Sequence, residues 1–146
     1  MTFIRNMEGR DISQVHILGS MVKEFEVVDK GPGFWKPEIL ENIVLDGLSY
    51  VVDDQGKIGG FLLATYQPVT RKLTWENMYL LKEYRKKGLA EKCFNLSWRL
   101  AQERGAFMAE GLVENNNMAS QKMLKRLGFE VAGNYLWMLR FSGENR

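Results

Sequence analysis

From Asp11 onward the apolar positions Ile12, Val15, Leu18, Met21, Val22 and Phe25 recur every three or four residues, which predicts an amphipathic helix over 11–28. Asp29-Lys30-Gly31-Pro32-Gly33 breaks it. Pro37 suits the first turn of a second helix, with Leu40, Ile43 and Val44 at helical spacing behind it. Residues 2–8 read as a short strand. Tyr50-Val51-Val52 and the run Ile58 to Tyr66 flank the polar turn Asp53 to Lys57, a hairpin signal. Another strand runs from Leu73 to Leu81. The period then changes, and Leu89, Cys93, Leu96 and Leu100 share one face of a helix over about 88–104 that stops at Gly105. Phe107 to Val113 returns to strand character. Asn115-Asn116-Asn117 offers an N-cap for a short helix that carries Ala119, Met123, Leu124 and Leu127 and ends at Gly128, and Phe129–Val131 with Tyr135–Phe141 read as a closing hairpin. This order predicts an α/β (α+β) chain: a mixed, mostly antiparallel central sheet with helices on both faces.

Composition narrows the setting. The 146 residues fit one domain over 1–146, and 45% hydrophobic with 26% charged residues is the balance of a folded chain. Lys plus Arg number 20 against 18 for Asp plus Glu, so a general affinity for nucleic acid is not expected and any electropositive site must be local. Cys93 is the only cysteine, which rules out an intrachain disulfide. The N-terminus, Met1-Thr2-Phe3-Ile4-Arg5-Asn6, has no apolar run of signal-peptide length, and nowhere do about eighteen apolar residues run together, so no membrane partner is expected and the cytoplasm is the default location.

The chemistry concentrates in Tyr79-Leu80-Leu81-Lys82-Glu83-Tyr84-Arg85-Lys86-Lys87-Gly88-Leu89-Ala90. A strand feeds a basic, glycine-containing turn that opens a helix. The unpaired N–H groups of a helix start suit a diphosphate, and Gly88 lets the backbone approach phosphate oxygens. Ala90 keeps the first turn slim, while Arg85, Lys86 and Lys87 add positive charge. Neither the nucleoside-triphosphatase loop nor the three-glycine dinucleotide fingerprint is present. A solvated basic helix start with a glycine at a tight turn is the plainer reading of the same residues.

Arg85-x-x-Gly88-x-Ala90 resembles the acyl-CoA diphosphate loop of the GNAT N-acetyltransferase superfamily, and Asn117 to Gly128-Phe129 resembles that family's second signature. The resemblance extends over about residues 3–141. It implies acetyl-CoA as co-substrate, no metal, and a primary amine as acceptor that attacks the thioester directly. By the same resemblance the backbone of Leu80, Leu81 and Lys82 pairs with the pantetheine arm where neighbouring strands splay. The N–H groups from Arg85 through Lys86, Lys87, Gly88, Leu89 and Ala90 bind the diphosphate, and Asn117 bonds the pantetheine with Ser120 nearby. A plain N-cap is the simpler reading of Asn117, and the two roles are compatible.

One position departs from the family pattern. Leu124 stands where the family often carries the tyrosine that protonates the leaving thiolate, so a CoA-binding sensor without catalysis is the alternative reading. An acceptor ammonium must lose a proton before it attacks. Strand alternation puts Glu76 on one face with Thr74, Met78 and Leu80, making it the first candidate base. Glu110 shares a face with Leu112 and Glu114 on the next strand and is the second. Each glutamate also reads as a solvated strand-end charge. His16 and Cys93 read as structural, and Phe34-Trp35 reads equally as packing or as a flap near the acceptor. The sheet edge beside the closing hairpin leaves a homodimer open.

Overall fold

A computed structural model of the chain describes residues 1–26 and 33–143. The break at Asp29–Pro32 and the last two residues of the first predicted helix lie outside the described residues. The order is β1 (Thr2–Asn6), α1 (Ile12–Ser20), α2 (Pro37–Asp46), β2 (Tyr50–Asp54), β3 (Lys57–Gln67), β4 (Lys72–Leu80), α3 (Leu89–Glu103), β5 (Met108–Gly111) and α4 (Met118–Arg126). The five strands make one sheet in the order β1-β2-β3-β4-β5, antiparallel except for the parallel pair β4–β5. The α+β architecture and mixed sheet are those expected. Among the described residues no helix is long and apolar enough to cross a membrane.

Alternation along β2 and β3 sends neighbouring side chains to opposite faces and so builds two cores. Val51, Phe61 and Leu63 meet Val15 of α1 and Leu40 and Ile43 of α2 on one face. Val52 and Leu62 meet Cys93 and Phe94 of α3 on the other, joined by Leu127 and Phe129 beyond α4. Full burial of each such aliphatic or aromatic side chain contributes roughly 1.5–3 kcal/mol. At the β1 side, Arg5 bridges Asp11 at 2.8 Å and Asp53 at 2.9 Å, tying the start of α1 to β2.

Two expectations fail. The first helix stops at Ser20: Val22 is extended, and Lys23–Phe25 form a separate short turn. Phe25 stays apolar-periodic without being helical because its ring stacks on Phe34, with centroids 5.8 Å apart, and packs against Phe61. The closing hairpin does not form, and β5 is the edge strand. Phe129 is held between Trp75 and Phe94, at 6.1 and 5.2 Å, but Tyr135, Leu136, Trp137 and Met138 are exposed. Period and composition describe one strand, whereas a strand exists only where it pairs with another. Without the hairpin, the sheet edge on this side is β5 itself.

Candidate functional site

The sheet opens halfway along β4. Lys72–Trp75 pair with Met108–Gly111, and past the Trp75–Gly111 pair β5 leaves. Glu76–Leu80 therefore keep β3 on one side only. The β3 register is Gly60↔Leu80, Phe61↔Tyr79 and Leu62↔Met78, and Leu81 N–H donates to Gly59 C=O at 2.9 Å. Antiparallel alternation then turns the backbone groups of Met78 and Leu80 to the open side. Within the expected Leu80–Lys82 segment, Leu81 N–H is thus committed to β3. Leu80 C=O accepts from Arg85 Nε at 2.8 Å. The free groups lie one step upstream, at Met78 N–H and C=O and Leu80 N–H. Met78 was not singled out from the sequence, because only the strand register shows which side its amide faces.

The loop after β4 begins with a short turn, Lys82–Tyr84, then an extended Arg85. Lys86 and Gly88 adopt positive φ, 60° and 76°, on either side of Lys87, whose φ is not positive. Alternation between the two hands turns successive N–H groups into a concavity that binds anions. Lys86, without glycine's freedom, holds a conformation that is strained for a side-chain-bearing residue. No side chain caps α3, so its first N–H groups face the same space, and a Cβ built on Gly88 would meet no atom within 4 Å. Arg85, Lys86 and Lys87 are exposed around it, and the Arg85 guanidinium lies 5.5 Å from the Tyr79 ring centre. The cradle, its open front and its charge fit a diphosphate.

Asn117 caps α4, its Oδ1 accepting from Ser120 N–H at 3.2 Å. The far end of α4 is tied to the first turn of α3 through Arg126 and Glu91, 3.0 Å apart. Along the helix, Asn117 stands about 13 Å and Ser120 about 9 Å from that tie. Leu124 is half-buried, and its carbonyl receives the N–H groups of Leu127 and Phe129 at 3.0 Å.

The face assigned to Glu76 is corrected. Leu63 pairs with Asn77 and Ala64 with Trp75, so Glu76 is an extra residue on β4, a β-bulge that reverses the alternation. Trp75, Met78 and Leu80 pack toward α3, whereas Glu76 accepts from Thr65 Oγ at 2.7 Å on the α1–α2 face. Asn77 turns the same way and accepts from Trp35 Nε1 at 2.6 Å. Glu76 is nonetheless the first residue past the last β4–β5 pair, at the mouth of the opening. Beside it lies a recess of about 560 Å³ lined by Trp35, Ile39, Asn42, Asp46, Thr65 and Tyr66, among others. Phe34 packs into the core, on Phe25 and Phe61, while Trp35 is both packed and part of this recess.

Glu110 stands apart. It pairs with Thr74 in the closed part of the sheet, is exposed, and bridges Lys72 Nζ at 2.9 Å. Leu112 and Glu114 lie beyond β5, so the shared face expected for the three does not exist. His16 Nδ1 contacts Trp35 C=O at 3.0 Å, a structural tie. Cys93 is buried, and burial pushes its thiol up to about 12.

A mixed sheet that parts beside a loop of inward-turned amides at a helix start defines the α+β class of this chain. The family model described as the acetyltransferase (GNAT) family matches residues 20–129, and the chain belongs to that family. No curated protein matches it by sequence. Among solved structures it is similar to the aminoglycoside N-acetyltransferase AAC(6')-Iy in complex with CoA, with TM-score 0.75 and 19% identity over 96% of this chain and 95% of that one. It is also similar to Ard1 from Thermoplasma volcanium, with TM-score 0.70 and 14% identity over 90% and 84% of the two chains. A third is the ribosomal-protein-S18-alanine N-acetyltransferase from Escherichia coli, with TM-score 0.70 and 18% identity over 91% and 80%. These identities speak to the fold. The names of two of these enzymes point to different acceptors, an aminoglycoside and a ribosomal-protein alanine.

Proposed function

We propose that the chain transfers an acetyl group from acetyl-CoA to a primary amine by direct attack. The observation that carries this reading is the parting of β4 from β5 at Trp75–Gly111, next to the amide-lined loop at Lys86–Gly88. When bound, acetyl-CoA supplies an activated acyl thioester. The amides from Arg85 to Ala90 hold its diphosphate, Met78 and Leu80 offer N–H groups along the open edge, and Asn117 adds its free amide from the head of α4. Glu76 takes the proton of the acceptor ammonium, directly or through one water, and the recess behind Trp35 and Thr65 receives the acceptor's body. The test is release of free CoA thiol from acetyl-CoA with a panel of polyamines, amino acids, aminoglycosides and peptide N-termini. Amine-dependent release supports the reading, and no release with any of them refutes catalysis on these acceptors.

Leu124 favours a second reading, a CoA-binding sensor that has lost transfer, because its side chain cannot donate a proton. Thiolate leaves with a solution pKa near roughly 8–9, so a missing acid slows the reaction without forbidding it. Leu124→Tyr that raises turnover while Leu124→Phe does not identifies protonation as limiting. CoA binding without turnover in all three proteins supports the sensor.

A further inference from the structure

The loop that holds the phosphates in the proposed reading is itself exposed, and its register against the sheet is set one residue upstream. Tyr84 is only 6% exposed and packs in the α3-side core with Val52, Leu62 and Cys93. Its hydroxyl donates to Asp54 Oδ2 at 2.7 Å, at the end of β2. Its ring lies on Gly59 of β3, where an added Cβ would sit 2.5 Å from the ring. Tyr84 N–H donates to Leu81 C=O at 2.9 Å, and Leu81 N–H is bonded to Gly59, so ring and backbone are anchored to one hairpin. Lys57 of that hairpin reaches Glu83 at 3.4 Å and lies 5.9 Å from the Tyr84 ring centre. The next residue, Arg85, begins the loop. The carboxylate of Asp54 also holds the Tyr84 hydroxyl in its protonated form, with the phenol pushed up to about 12.

We infer that Tyr84 and Asp54 are positioning residues that fix the diphosphate loop against the β2–β3 hairpin, and that they act on CoA affinity rather than on acyl transfer. The inference rests on the cofactor reading of the loop. Neither residue touches the proposed ligand. Their effect passes through the backbone of Arg85 to Gly88, whose left-handed residues tolerate little displacement if several N–H groups are to converge on one anion. Tyr84→Phe keeps the ring in the core and removes only the bolt. Asp54→Asn keeps an oxygen acceptor for the hydroxyl, whereas Asp54→Ala removes it. Gly59→Ala forces the ring off β3 by a different route.

The experiment measures CoA binding by titration calorimetry, the melting of each apo protein, and kcat and KM for acetyl-CoA. Tyr84→Phe, Asp54→Ala and Gly59→Ala should each weaken CoA about tenfold, within the usual range of coupling between separate sites. Asp54→Asn should stay within about threefold of wild type, and kcat at saturating acetyl-CoA should stay within about twofold throughout. Two results overturn the inference while leaving the loop reading intact: Tyr84→Phe and Asp54→Ala binding CoA as wild type does, or losing kcat at saturation rather than affinity. A wild-type protein that does not bind CoA overturns the loop reading and this inference with it. Should Gly59→Ala fail to fold, the comparison of Asp54→Ala with Asp54→Asn still decides.

Discussion

Gly88→Val separates the fold's need for this glycine from the ligand's. Gly88 sits at φ 76°, and a left-handed residue with a side chain costs roughly 1–2 kcal/mol. The added Cβ meets nothing within 4 Å beyond its chain neighbours, so backbone strain is the main cost to the apo protein. In a chain this long, 1 kcal/mol shifts Tm by about 3 °C, so the variant should melt about 3–6 °C lower and still fold. A phosphate oxygen accepting from the loop amides must come within about 2.7–3.2 Å of their nitrogens, the space the valine methyls would enter. CoA affinity should fall at least about a hundredfold, equivalent to about 2.7 kcal/mol. Gly88→Ala, with one methyl, should fall between. Titration calorimetry with CoA, alongside thermal melts, reads both quantities. Affinity in Gly88→Val within about threefold of wild type would refute the placement of the diphosphate.

Glu76→Gln should lower turnover by about 10²–10⁴-fold near neutral pH, with CoA affinity unchanged and the deficit shrinking at high pH, where the amine is already neutral. An equal deficit across a pH–rate profile would assign Glu76 to acceptor binding or structure, and an unimpaired variant would move the role elsewhere. Arg5→Met leaves Asp11 and Asp53 buried without their cation and should cost about 3 kcal/mol, or about 10 °C in Tm. The Gly56 N–H, and after it Arg5, hold the Asp53 carboxyl below its usual range. The stability this gives is present above about pH 4 and lost as pH falls through the depressed value, so the gap between wild type and Arg5→Met should narrow in acid melts. A gap that widens below pH 4 would contradict this. Cys93, buried and with its thiol pushed up to about 12, should react with a thiol reagent at neutral pH only on unfolding, and labelling of the native protein within minutes would contradict its place in the core.

The legible parts of the chain are those set by local chemistry. Leu89, Cys93, Leu96 and Leu100 announce α3 because one face of a helix must be apolar. Pro37 opens α2 because its ring presets φ for a first helical turn. Gly88 was readable because a turn that must let its backbone approach an anion has no room for a Cβ. The illegible parts depend on partners distant in sequence. The extra residue at Glu76 appears only when β4 is counted against β3, and it reverses the face that alternation assigns. Met78 and Tyr84 gain their importance from register and from contact with the β2–β3 hairpin, which no short motif encodes. The tail from Tyr135 to Leu139 has the composition of a strand but takes no strand pairing, its side chains lying exposed instead, and Phe25 shows apolar periodicity outlasting its helix. Motif reading found the loop. Its attachment, and the side of the sheet from which Glu76 faces the opening, required the fold.

The central claim is that the opening between β4 and β5 binds acetyl-CoA, and ligand-dependent melting of the wild-type protein tests it most directly. At about a hundredfold excess over its dissociation constant, acetyl-CoA should add roughly 2.7 kcal/mol. That raises Tm by about 9 °C in a chain of this length, and the shift should grow with the logarithm of ligand concentration. An unchanged Tm at millimolar acetyl-CoA, in a protein that melts cooperatively, would contradict the account.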